Sequence, residues 1–86
     1  MKYCLLGGAG VFAIHTAKYL LEQKETELVL CIGRNSVKNT AFTLNLGKND
    51  KRYVFKPCHI VYEQDFLFEY LDHYKPDFVL NFAALA

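Results

Sequence analysis

The chain mixes short unbroken apolar runs with longer stretches in which apolar residues recur every three or four positions. Lys2, Tyr3, Cys4, Leu5 and Leu6 form a run closed by Gly7-Gly8-Ala9-Gly10, which predicts a buried strand entering a tight turn. Over residues 11–23, Val11, Ile14, Ala17, Leu20 and Leu21 keep the 3.6-residue period of a helix with one face on a sheet. A polar loop at residues 24–27 leads to Leu28-Val29-Leu30-Cys31-Ile32, apolar without alternation, as in a strand covered on both faces. Residues 34–52 are rich in Asn, Lys, Thr and Gly, and carry at most a short helix near 37–46 and a turn at 47–50. Tyr53-Val54-Phe55 reads as a fragment of extended chain broken by Pro57, and residues 58–62 are the stronger candidate for a third strand. Leu67, Tyr70, Leu71 and Tyr74 then predict a helix over 66–74, stopped by Pro76, before a final strand at 77–82.

Strands and helices that alternate in this way call for an α/β fold with a parallel sheet and right-handed crossovers. The expected strand order is 3-2-1-4, part of a doubly wound sheet, with the ligand crevice at the carboxyl end of the first strand beside the fourth.

The glycine turn gives that crevice a candidate chemistry. Gly8-Ala9-Gly10-Val11-Phe12-Ala13 satisfies G-x-G-x-x-G/A, and counting from Gly7 the segment also satisfies G-x-x-G-x-x-A. One glycine permits the turn, a second lets backbone amides approach a pyrophosphate, and a small residue at Ala13 lets the helix lie close on the sheet with its amino end facing the anion. This is the Rossmann dinucleotide pattern in its strand-turn-helix setting. The competing reading is a tight turn with no ligand. After the second strand, Gly33-Arg34-Asn35 stands where an NAD site usually places a carboxylate for the ribose hydroxyls. A guanidinium there can hold a 2′-phosphate, which favours NADP over NAD, with Lys38 in support. The plain alternative for Arg34 is a solvated loop cation.

Composition narrows the partners. The 86 residues are 52% hydrophobic and 22% charged, with a net charge of +1, so the chain is a globular domain or part of one, with no basic excess for nucleic acid or an acidic membrane. No apolar run approaches the roughly 18 residues of a membrane-spanning helix, and a cytoplasmic location is expected. Cys4, Cys31 and Cys58 lie far apart in apolar runs and read as buried thiols, and His15, His59 and His73 lack metal-ligand spacing.

Taken together, these segments resemble the extended short-chain dehydrogenase/reductase superfamily, NAD(P)-dependent nucleotide-sugar epimerases and dehydratases. Residues 6–15 are similar to its T-G-G-A-G-F-I-G-S-H opening, and residues 75–84, running from Lys75-Pro76-Asp77 to Ala83-Ala84, to its K-P-D-x-V-x-x-x-A-A strand. The resemblance implies that Gly7, Gly8, Gly10, Val11, Phe12 and Ala13 form the pyrophosphate turn. It implies that Arg34 and Asn35 read the ribose, that Asp65 and Phe66 flank adenine, and that Ala83 and Ala84 pass near the nicotinamide ribose. Asp65 has an equal alternative as the cap of the helix that follows it. Leu6, Ala13 and Gly33 depart from the family pattern, which has Thr, Gly and Asp there.

The family's chemistry also needs a tyrosine four residues before a lysine. Lys75 follows Tyr70 by five and Tyr74 by one, so no catalytic residue is assigned. The chain is accordingly expected to be either the opening, coenzyme-binding part of a longer protein that would meet the nucleotide-sugar substrate or the product of a truncated reading frame, with a last strand whose edge is open to self-association. A non-catalytic NADP-sensing module would share every motif, and the Tyr-x-x-x-Lys pair separates the two. A flavin-binding relative fits the residue 75–84 segment less well.

Overall fold

The computed structural model describes residues 1–7, 11–34 and 50–83. Its elements are β1 (Lys2–Leu6), α1 (Val11–Leu21), β2 (Leu28–Gly33), β3 (Tyr53–Pro57), α2 (Gln64–Tyr74) and β4 (Phe78–Asn81). The strands form one sheet in the order β3-β2-β1-β4, and every neighbouring pair is parallel. The predicted order is therefore the observed one. The candidate helix at 37–46 lies outside the described residues, as does the turn predicted at 47–50 apart from Asp50.

The unbroken apolar runs of β1 and β2 follow from their central place. Leu5, Val29 and Cys31 face Ala17 and Leu20 of α1, with Tyr53 of β3 joining them. Cys4, Leu30 and Ile32 point the other way, into a cluster with Cys58 that Leu67, Tyr70, Leu71 and Tyr74 of α2 help to close. The sheet is thus sandwiched between the two helices. Leu5, Val29, Leu30 and Ile32 are fully buried, and each such aliphatic side chain contributes about 1.5–3 kcal/mol.

Arg52 fastens the far end of α1 to the start of β3. Its guanidinium donates to the carbonyls of Leu21, Gln23 and Thr26 and grips the Asp50 carboxylate through two of its nitrogens, at 2.6 Å for the closest contact. The Leu21 carbonyl, at the carboxyl end of α1, is satisfied in this way. The Thr26 hydroxyl adds a buried hydrogen bond to the Leu20 carbonyl at 2.6 Å.

The third strand corrects the sequence reading. It occupies Tyr53–Pro57, and residues 58–62 turn instead of extending. The Cys58 amide donates to the Gly33 carbonyl of β2, so the nitrogen of Pro57, one residue earlier, faces away from the sheet. Since β3 is an edge strand among the described residues, proline costs it no ladder bond. Beyond it, the ring of His59 folds the chain back. Its Nδ1 accepts from the amides of Val61 and Tyr62, both at 3.3 Å, and its plane tilts against the Tyr62 ring.

Helix α2 starts at Gln64, two residues before the expected position, and Lys75 ends it in the left-handed region with φ of 49°. The Lys75 amide bonds to the Leu71 carbonyl, and Pro76 prevents continuation.

Candidate functional site

In a sheet of this order, the chain leaves β1 toward β2 on one side and β4 lies on the other, so the carboxyl ends of β1 and β4 flank a crevice. α1 starts at Val11, shortly beyond the end of β1, so its amino end is at this edge. Ala13 is fully buried, which lets the first turn of α1 sit close on the sheet, whereas Phe12 is exposed. Gly8 and Gly10 lie outside the described residues, as do Asn35 and Ala84.

Gly7 and Ala83 are brought together. Gly7 has φ of +77°, and a Cβ placed on it would stand 2.8 Å from the Ala83 backbone nitrogen. The bare backbone at Gly7 is therefore required by the path of the chain leaving β4. The Gly7 amide donates to the Ile32 carbonyl and the Phe82 amide to the Leu6 carbonyl, which joins β1 to both neighbours at the rim. Ala83 in turn donates its amide to Asn81 Oδ1 at 2.9 Å.

Arg34 follows β2 at the same edge and is exposed. It lines an open cleft of about 410 Å³ with Pro57, Cys58, His59 and Glu63. A second hollow, of about 250 Å³, is lined by the segment from Val61 to Phe66 and contains Asp65 and Phe66. Glu63 borders both. Asp65 lies in the first turn of α2, and the capping position is held by Glu63, so the alternative of Asp65 as the cap does not apply. Asp65 and Phe66 are both exposed and apart from the cleft of Arg34.

His59 and Glu63 line this cleft and were not among the candidate site residues read from the sequence. Glu63 does not cap α2 with its side chain. Its Oε1 instead accepts from the His59 amide at 2.8 Å, while its own amide donates to the His59 carbonyl at 2.7 Å. The Cys58 thiol points to the Glu63 carbonyl at 3.4 Å, which closes the turn. The spacing of His59 and Glu63 across an apolar stretch read as a strand concealed this arrangement. A histidine four residues before a glutamate at a helix start was the available signal.

The groups present suit a nucleotide. An open cleft beside the carboxyl ends of β2 and β3 holds one guanidinium and one carboxylate, a donor for phosphate oxygens and an acceptor for sugar hydroxyls. The neighbouring hollow is bordered by Phe66. Among the described residues no group of three His, Cys, Asp or Glu side chains could hold a metal ion, and no helix is long and apolar enough to cross a membrane.

Cys4 and Cys31 lie in the two core clusters, whereas Cys58 borders the cleft of Arg34. Burial pushes the Cys4 thiol up to about 11 and that of Cys31 to about 12, and it raises Cys58 as well. All three cysteines are free.

These features define an α/β protein of the Rossmann-like class, with a parallel sheet in the order 3-2-1-4. Among solved structures, the chain is similar to the UDP-glucuronic acid 4-epimerase from Bacillus cereus in complex with NAD, at 23% identity and a TM-score of 0.78. The similarity covers 100% of this chain and 28% of that one, so the chain spans little more than a quarter of the epimerase's length. At this identity the likeness is one of fold. No protein-family model matches the chain, and no curated protein matches it.

Proposed function

We propose that the chain is the NAD(P)-binding portion of an oxidoreductase of the nucleotide-sugar epimerase or dehydratase kind, binding the coenzyme without turning over substrate by itself. The observation that carries this reading is the cleft of Arg34, His59 and Glu63 at the carboxyl ends of β2 and β3, on the rim where Gly7 meets Ala83. The NAD held by the epimerase of the same fold supports it.

Bound there, the coenzyme would supply hydride acceptance from a sugar carbon. The chain's own part is to hold it. The turn after β1, with Gly7, Gly8 and Gly10, and the amino end of α1, with Val11, Phe12 and Ala13, meet the diphosphate. Arg34, with Asn35 beside it, meets the adenosine ribose and gives a 2′-phosphate its hold, which favours NADP. Asp65 and Phe66 flank the adenine, and Ala83 and Ala84 leave room beside the second ribose. The free, buried thiols agree with a reducing compartment, the cytosol.

Calorimetric titration with NAD, NADP and ADP tests the reading. All three should bind, and Arg34→Ala should weaken NADP by about tenfold while leaving NAD within about threefold, the loss of one charge-assisted contact. Failure of both dinucleotides to bind the unchanged protein would overturn it.

A further inference from the structure

Resting on that coenzyme reading, we propose that Glu63 is a specificity-determining residue that opposes Arg34, so that the protein accepts both NAD and NADP with affinities within about tenfold of each other. Arg34 and Glu63 reach one cleft from different elements, the end of β2 and the amino end of α2. They are not ion-paired, so each charge meets the ligand separately.

Glu63 is a positioned carboxylate. One oxygen is held by the His59 amide at 2.8 Å, and the turn that fixes it is closed by the His59 ring and the Cys58 thiol. The other oxygen has no hydrogen bond among the described residues. A carboxylate oxygen only accepts, and the ribose 2′-hydroxyl of NAD has a proton to give it. The 2′-phosphate of NADP has none and brings about −1.5 to −2 charges at neutral pH. The carboxylate that the sequence lacks after β2, where Gly33 and Arg34 stand, is thus provided from the start of α2. For charges taken as about 7 Å apart in a water-like medium, one carboxylate against such a phosphate changes affinity by about fivefold at low salt.

The test is the ratio of NADP to NAD affinity in the unchanged protein, in Glu63→Gln and in Arg34→Ala. Glutamine keeps an oxygen for the His59 amide and removes only the charge. The expected result is a rise of about fivefold in the ratio for Glu63→Gln and a fall of similar size or larger for Arg34→Ala. A ratio left unchanged by Glu63→Gln, with both coenzymes still bound, overturns this inference and leaves the coenzyme reading intact. Binding of neither by the unchanged protein overturns both. Should Glu63→Gln fold poorly by circular dichroism, salt gives the same answer in Arg34→Ala. There the repulsion from Glu63 stands without its counterweight, so raising salt from about 20 to 500 mM should increase the ratio several-fold. A flat or falling ratio overturns the proposal.

Discussion

Tyr53 is a core residue with a buried polar atom. Its ring belongs to the cluster under α1, and its buried hydroxyl meets no nitrogen or oxygen partner among the described residues, only the weakly bonding Cys31 thiol. Burial, with the Cys31 thiol beside it, holds the phenol well above the ordinary range. Replacing the hydroxyl by hydrogen removes a desolvation penalty and leaves the packing in place. Tyr53→Phe should therefore stabilise the protein by about 1 kcal/mol in urea unfolding, and a loss of stability would show that the hydroxyl is satisfied. The thiols make a second prediction at this scale. Cys4 and Cys31 are neutral in the folded protein up to about 11 and about 12, against an ordinary value of 9.0. Above pH 9 the unfolded chain loses protons that the folded chain keeps, so stability should fall as pH rises from 9 through about 12. Urea midpoints across that range check the sign, and Cys31→Ser should flatten the decline. The burial of these thiols was legible, because each lies in an apolar run. The turn chemistry of His59 was not, since an imidazole accepting two backbone amides leaves no periodic trace in the sequence.

At the scale of elements, β1, α1, β2 and β4 were legible because their apolar residues follow the period of the structure they form. β3 was misplaced by one feature, Pro57. Read along the chain it is a strand breaker. On an edge strand, with its nitrogen turned outward, it is harmless, and only the pairing partner reveals which way the nitrogen faces. The start of α2 was missed for a related reason. Its first turn is polar, with Gln64 and Asp65 preceding the apolar repeat, and Glu63 is engaged with His59 instead of signalling a side-chain cap. The end of α2 carries a testable cost. Lys75 occupies a left-handed conformation that glycine adopts without its Cβ penalty, so Lys75→Gly should raise stability by about 0.5–1 kcal/mol, read from the thermal midpoint. At the end of α1, Arg52 spans three carbonyls and the Asp50 carboxylate at once. Lysine has the charge without the planar fork, so Arg52→Lys should lower Tm by several degrees, while a Tm within about a degree of the original would make the fork dispensable.

For the whole molecule, the winding order followed from the sequence because right-handed crossovers between parallel strands leave few arrangements for this series of elements. The convergence of Arg34 and Glu63 on one cleft did not, since it depends on where the end of β2 and the start of α2 come together at the sheet's rim. The order also exposes one flank. β2, inside the sheet, is almost wholly buried, whereas Phe78, Val79 and Leu80 of β4 are 47%, 48% and 37% exposed. β4 pairs with β1 on one side, and among the described residues its outer backbone edge has no neighbour. Phe78 rests on Tyr3 with ring centres 5.7 Å apart, but that contact leaves nearly half its surface in water. An unpaired edge with apolar side chains on both faces favours pairing with another strand, and a second copy offers the same edge. Sedimentation velocity between about 10 and 200 μM should show association that grows with concentration. Leu80→Lys places a charge on that edge strand and should reduce association strongly, because two copies meeting there would bring like charges together. A monomer throughout the range in the unchanged protein, or association indifferent to Leu80→Lys, would show that this flank is not the contact.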